Sequence, residues 1–351
     1  MKRSKAYRQD IQQAACAELP WEQLEQKEIL IAGASGMIGT VLVDILAHRN
    51  LYCGQRIDIT CAGRRERAAR IRFADYWDFP FFSFQEMDIQ QPMPQSYAPD
   101  YIVQAASNTH PIAYSTDPIN TIMTNVVGTK NLLECVAKNK DCRLLLLSSC
   151  EIYGVYDGAS GRMREDGCGY IDCNTLRAGY TESKRTAETL CNAYREKYGV
   201  DFVTARLSRI YGPTMRPDDS KAVSQFLLSA ARGQSIELKS DGQQVFSYCY
   251  AVDAALALLY ILLLAPPGRV YNVSDENCEI SLLDLAKTIA EKGGVQLTRR
   301  SPSQVEQRGY SHSRYSLLDT SKLKQLGWRP HTDLQSGIEK TIAVLRDNCE
   351  E

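Results

Sequence analysis

Tyr180 and Lys184 stand four residues apart in Tyr180-Thr181-Glu182-Ser183-Lys184, so on a helix the phenol and the ammonium share one face. A nearby ammonium favours phenolate, which would move a tyrosine from its ordinary pKa of about 10 toward a usable general base. With 19 tyrosines in the chain this spacing arises by chance about once, so the order of motifs must carry the argument. Upstream lies Ser148-Ser149-Cys150-Glu151-Ile152-Tyr153-Gly154, directly after an apolar run. That position is the carboxyl end of a strand, where open α/β sheets bind ligands. There Ser149 would hydrogen-bond a reacting hydroxyl, Tyr180 would take its proton, and a nicotinamide would take the hydride. Further upstream is Gly33-Ala34-Ser35-Gly36-Met37-Ile38-Gly39. Its three glycines permit a tight turn, close approach of backbone N–H groups to a pyrophosphate, and helix–strand contact.

These groups need a scaffold, and the apolar pattern supplies one. Strands are expected at Glu28–Ala32, Arg56–Ala62, Asp100–Ala106, Arg143–Ser148 and Asp201–Leu207. Helices are expected at Met37–His48, around Asn125–Lys138, and at Tyr180–Tyr198 with Gly199 as its cap. Short apolar strands alternating with helices imply an α/β fold, a Rossmann-type doubly wound parallel sheet covered on both faces. Beyond Tyr211-Gly212-Pro213 the texture changes to loops, one helix (Val223–Arg232) and scattered strands, a smaller α+β C-terminal substrate lobe. The expected division is an N-terminal helical extension (1–27), an NAD(P)-binding domain (28–207) and a substrate-binding lobe (208–351). Segments such as 246–265 would return to the NAD(P)-binding domain. In the extension, Tyr7, Ile11, Ala14, Ala15 and Leu19 keep near-helical spacing until Pro20-Trp21, and this piece is expected to pack on the body.

The second strand ends Cys61-Ala62-Gly63-Arg64-Arg65. An acid there would hold the adenosine ribose 2′-hydroxyl; two arginines stand where a 2′-phosphate would lie, or are simply solvated. NAD and NADP both stay open. Asp88-Ile89, after the third strand, is either a partner for the adenine amino group or a loop aspartate.

Bulk numbers exclude several classes. With 351 residues and 44% apolar content the chain can bury a large core. Forty-one basic against 42 acidic residues leave no field for nucleic acid and no basic cluster for a membrane surface. Met1-Lys2-Arg3-Ser4-Lys5 is not followed by an apolar stretch, and the longest apolar run, Ala254–Ala265, is too short to span a bilayer. The 12 cysteines are scattered, without metal-ligand spacing, so a cytoplasmic chain with reduced thiols and no metal site is expected.

Taken together, these motifs resemble the extended short-chain dehydrogenases that modify nucleotide sugars: epimerases, 4,6-dehydratases and UDP-glucuronate decarboxylases. The resemblance runs from about Glu28 to the C-terminus and includes Gln104-Ala105-Ala106-Ser107, Asn125, Arg206, Tyr271-Asn272-Val273 and Leu323 to Pro330. It implies that a tightly held, recycled NAD or NADP sits against Gly33 to Gly39, Ala105, Ala106, Ser107, Asn125, Ser148, Tyr180 and Lys184. It also implies oxidation of a sugar C4 hydroxyl, and a homodimer paired through the Asn125 and Tyr180 helices. The family's dehydratases carry Asp-Glu after the catalytic Ser/Thr, whereas this chain has Cys150-Glu151, and a thiol is a poor acid for a leaving hydroxyl. Its decarboxylases carry Ser-Glu there, a Tyr-Gly, and an Arg three residues before the Tyr, matched by Glu151, Tyr153-Gly154 and Arg177. Decarboxylation therefore leads, ahead of 4-epimerisation and dehydration. A reductase that releases its cofactor each cycle and an NAD(P)-sensing regulator complete the alternatives. Substrate contacts are expected from Thr109, Cys150, Arg177, Arg209, Lys221, Gln225 and Tyr248. Two departures bear on the substrate: Ser208-Arg209 replaces a Phe-Asn, and Phe246 stands where an arginine grips the diphosphate.

Overall fold

The computed structural model describes residues 3–94, 97–109, 111–155, 161–302 and 313–348, so Met1 and Lys2 of the extension lie outside it. The apolar runs form β1 (Lys27–Ala32), β2 (Ile57–Gly63), β3 (Phe82–Glu86), β4 (Tyr101–Gln104), β5 (Arg143–Ser149) and β6 (Asp201–Leu207). With β10 (Arg269–Val273) they make one seven-stranded sheet, ordered β10-β6-β5-β4-β1-β2-β3, with every neighbouring pair parallel. The order reverses between β1 and β4, the switch point at which such sheets bind ligands.

Alternation along the strands feeds two cores. Ile29, Ile31, Leu145 and Leu147 join the cluster on one face, while Leu30, Ala32, Leu144 and Leu146 join that on the other. The first face carries α1 (Lys5–Ala15), α2 (Met37–Tyr52) and α8 (Ala251–Leu264), which pack on one another. The second carries α5 (Pro118–Lys138) and α6 (Ala178–Tyr198), also mutually packed. The short helices α3 (Glu66–Arg72) and α4 (Pro111–Thr116) follow β2 and β4.

Beyond β6 the strands β7 (Arg209–Tyr211), β9 (Val245–Tyr250), β11 (Asp275–Ser281) and β13 (Tyr315–Ser316) make a second sheet around β9. The strands β8 (Ile236–Leu238) and β12 (Leu297–Arg299) pair separately. Only one helix was expected here, yet the described residues contain α7 (Ala222–Ala231), α8, α9 (Leu282–Gly293), α10 (Ser321–Gln325) and α11 (Leu334–Asp347). Helix α8 shows no amphipathic period because almost every one of its residues is buried. Helices α9 and α11 are capped by Ser281 and Asp333, local signals that the reading passed over.

The lead-in helix is bolted to the body by charge. Arg3 and the Tyr7 hydroxyl both bond the fully buried Asp44 of α2, at 2.7 Å each. Asp10 accepts from the Tyr250 hydroxyl at 2.9 Å and pairs with Lys340 of α11 at 2.6 Å. Tyr7, Ile11, Ala14 and Ala15 are buried, as their spacing predicted.

Candidate active site

At the switch point, Gly33 has φ +83, and a Cβ there would lie 2.7 Å from the Ala106 backbone. A Cβ at Gly39 would lie 2.6 Å from the Gly33 carbonyl oxygen. The turn thus closes only with these glycines, and it aims the first N–H groups of α2 into a cavity of about 530 Å³. The cavity is lined by Gly33, Gly36, Met37, Ile38, Gly39, Ala105, Ser107, Ser148, Tyr180 and Lys184 from the expected cofactor set. Ser148 Oγ is buried there without a hydrogen-bond partner among the described residues, a group left for a ligand to satisfy. A dinucleotide fits this lining.

Ser149 ends β5, and its Oγ accepts from the Glu151 amide at 3.2 Å and hydrogen-bonds Tyr180. Lys184 donates to the Leu147 carbonyl at 2.7 Å. The expected lowering of Tyr180 is not what its surroundings produce: burial pushes the phenol well above its usual range, and the bond with Ser149 opposes only part of that. Burial brings Lys184 down to about 8, with the Glu188 carboxylate resisting. Both shifts have one cause, desolvation by burial, which disfavours each charged form.

Beside this pair Glu151 sits between two guanidinium groups, Arg177 at 2.5 Å and Arg209 at 3.3 Å. Burial raises the carboxyl, but the two cations outweigh it and hold Glu151 below its usual value. Arg209 lies 3.5 Å from the Phe246 ring centroid and 3.8 Å from Cys150 Sγ. Burial raises the Cys150 thiol, with Arg209 opposing, so the sulfur stays protonated. Lys221 pairs with Asp219 at 2.7 Å, and Gln225 donates to the Asp219 carbonyl. Thr109, Cys150, Arg177, Arg209, Lys221, Gln225 and Tyr248 all line the same cavity as Ser149, Glu151, Tyr180 and Lys184.

Other expected cofactor contacts do not line it. Asn125 is buried and donates to Ser183 Oγ at 2.9 Å, which in turn donates to the Tyr180 carbonyl, tying α5 to α6 behind the tyrosine. Asp88 accepts from the Gln90 amide in its own loop, and Ile89 fills the space beside Gly128. Ala106 lies against Gly33 and Ser35 against Gly63, and Arg64 and Arg65 are exposed just beyond Gly63.

The motif reading missed Glu188 as a support. It lies one turn after Lys184 and takes a forked bond from Arg206, with Nη2 at 2.8 Å and Nε at 3.1 Å. Arg206 also donates to the Tyr153 hydroxyl at 3.0 Å. The i+4 spacing from Lys184 was the available signal.

A doubly wound parallel sheet whose switch point opens on a Ser/Tyr/Lys-lined cavity is the architecture of the extended short-chain dehydrogenases. The pattern of the NAD dependent epimerase/dehydratase family matches residues 29–274, and the chain belongs to that family. UDP-glucuronic acid decarboxylase 6 of Arabidopsis thaliana is 30% identical over 315 residues, 88% of this chain and 86% of that protein. UDP-glucuronic acid decarboxylase 1 of Xenopus tropicalis is 29% identical, covering 93% of this chain and 74% of the relative. The dTDP-glucose 4,6-dehydratase DesIV of Streptomyces venezuelae, with NAD bound, superposes with TM-score 0.79 at 22% identity over 92% of this chain and 98% of its own. A UDP-glucuronic acid 4-epimerase from Bacillus cereus gives TM-score 0.78 at 19% identity, over 92% and 99% of the two chains.

Proposed function

We propose that the chain oxidises C4 of a nucleotide-linked uronic acid and releases its C5 carboxyl group as carbon dioxide. The observation that carries this reading is Glu151, held ionised between Arg177 and Arg209 beside Ser149 and Tyr180. The curated relatives named as decarboxylases support it. Ser149, Glu151, Tyr180 and Lys184 are the proposed catalytic set. Residues 28–207 would hold the cofactor and 208–351 the substrate, with 246–265 packed back on the former.

The bound nicotinamide supplies a hydride acceptor, and later the same hydride. Ser149 orients the C4 hydroxyl and, through its hydrogen bond to Tyr180, opposes the burial that favours the neutral phenol; Tyr180, in its phenolate form, accepts the hydroxyl proton. The resulting C4 ketone stands β to the C5 carboxylate, so the C5–C6 bond breaks with its electrons delocalised onto the C4 oxygen. Carbon dioxide leaves, C5 takes a proton from solvent water, and Tyr180 returns its proton to the C4 oxygen as the ketone is reduced. The Lys184 ammonium favours the phenolate form of Tyr180 that takes the proton. A protonated Cys150 thiol supplies no strong acid for a leaving hydroxyl, which counts against dehydration.

The test is incubation of the purified protein with UDP-glucuronate and a panel of other nucleotide sugars, read by mass spectrometry. Loss of carbon dioxide is expected. An isomer of unchanged mass would make the chain an epimerase, and loss of water a dehydratase. Tyr180→Phe should end turnover while leaving dinucleotide binding intact; undiminished turnover would remove Tyr180 from the chemistry.

We also propose a cytoplasmic homodimer paired through α5 and α6. Among the described residues no helix is long and apolar enough to cross a membrane. Ile119 on α5 is 75% exposed, with Met123 at 42% nearby, an apolar edge suited to a second copy. A monomer by light scattering at micromolar concentration would overturn the pairing.

A further inference from the structure

We infer that the dinucleotide site at Gly33–Gly39 is built for a cofactor carrying a 2′-phosphate, and that Arg64 and Arg65 bind that phosphate. The inference rests on a dinucleotide occupying this turn, but not on which sugar reaction follows.

A Rossmann sheet that selects the free ribose places an acid at the carboxyl end of the second strand. In this chain β2 ends at Gly63, followed by Arg64 and Arg65. Packing does not force that glycine. A Cβ built there meets only ordinary contacts, 3.6 Å to the Phe84 ring and 3.7 Å to Ser35 Oγ, and its φ is not in the left-handed region. An aspartate would fit, so its absence is a matter of chemistry rather than space. The same measurement places the Ser35 hydroxyl beside the end of β2, so the glycine turn and the arginine pair border one surface. Glu86 faces Gly63 in register, but it lies on β3, one strand further from the turn.

The arginines nearby sort into two kinds. Arg70 lies over the Trp77 ring, 5.0 Å from its centroid, and Arg72 donates to the Thr214 carbonyl at 3.0 Å. These two serve the fold. Arg64 and Arg65 are exposed, and among the described residues neither side chain has a hydrogen-bond or ion-pair partner. Two unengaged guanidinium forks beside a side-chain-free strand end match a phosphate monoester, which presents several anionic acceptor oxygens. A bare ribose hydroxyl would find no side-chain acceptor at Gly63.

The experiment has two readouts that need no turnover. First, the purified protein is denatured and any released dinucleotide identified by mass spectrometry. Second, NAD+ and NADP+ are titrated by calorimetry into protein freed of cofactor. The expected result is NADP in the released fraction and NADP+ binding about 10- to 100-fold tighter than NAD+. That margin should shrink with added salt, and Arg64→Ala and Arg65→Ala should each narrow it while leaving NAD+ affinity unchanged. Arg64→Lys should restore part of it. Release of NAD alone, equal or tighter binding of NAD+, or a preference untouched by both alanine variants would overturn the inference. Failure of both dinucleotides to bind would overturn it together with the cofactor site itself. Because both side chains are exposed, an unchanged circular dichroism spectrum should accompany each variant, which separates loss of phosphate contact from loss of fold.

Discussion

Removing Arg177 tests the reading of Glu151 most directly. The two side chains meet at 2.5 Å and are only 13% and 19% exposed, so solvent screens the contact little. In Arg177→Ala the Glu151 carboxylate would keep Arg209 at 3.3 Å as its remaining cation. It is therefore not stranded, and the loss should approach one charge-assisted hydrogen bond, about 1.5–3 kcal/mol, rather than a fully broken buried pair. If that contact is formed in the transition state, kcat/KM falls about 10- to 150-fold. The direction of the pH profile is the sharper readout. Burial raises the Glu151 carboxyl, and Arg177 is the first of the two cations that overcome it. Deleting Arg177 leaves burial in place and removes a lowering influence, so the acid limb of kcat/KM for UDP-glucuronate must move to higher pH. Arg177→Lys should move it back part of the way. A fall in kcat/KM with the acid limb unmoved, or moved to lower pH, would refute the assignment. It would mean that Arg177 acts on the substrate rather than through Glu151.

Lys184→Met should stabilise the fold while ending turnover. The folded value of about 8 lies below the ordinary 10.5, so the unfolded chain holds the extra proton between them and wild-type stability rises with pH through that window. At about pH 7 the variant should gain up to about 3 kcal/mol by urea titration, the gain vanishing near the ordinary lysine value; a loss at every pH would contradict this. Asp44→Ala leaves Arg3 with Asp75 at 2.9 Å as its remaining carboxylate, so it should cost about 1.5–3 kcal/mol, the loss of charge-assisted hydrogen bonds rather than a stranded charge. The apolar pair Arg3→Met with Asp44→Leu should cost much less by the same titration, and equal losses would refute a charge-based account. The Cys150 thiol should alkylate slowly near neutral pH, faster as pH rises, and more slowly with substrate present, as followed by mass spectrometry of the labelled protein. Rapid labelling that substrate does not affect would place the sulfur outside the reaction chamber.

Much of the floor of the candidate site was legible because its parts are local. Gly33 to Gly39, Ser149 and Tyr180 to Lys184 each sit at the end of a strand or the start of a helix, and periodicity marks such ends. The substrate-side residues were reached through family resemblance rather than spacing. Thr109, Arg209 and Tyr248 come together in the cavity from segments far apart in sequence, and only the closed sheet joins them. Electrostatics was misjudged at Tyr180, since the i+4 rule gives proximity to Lys184 but not the desolvation that dominates both groups. The helices beyond β6 were under-read for a related reason: when nearly every face of α8 is buried, no stripe remains to betray a helix.

The charge-bolted lead-in helix sets where this chain can be cut. The family pattern begins at residue 29, yet Asp44, in the middle of α2, has its partners at Arg3 and Tyr7. A recombinant piece trimmed to residues 29–274 would strip Asp44, buried in the middle of α2, of its bonds from Arg3 and Tyr7, and Tyr250 would lose Asp10. Homology and foldability thus draw different borders. The helix that follows the glycine turn is held at its middle by Arg3 and Tyr7, two residues that the shared pattern leaves out.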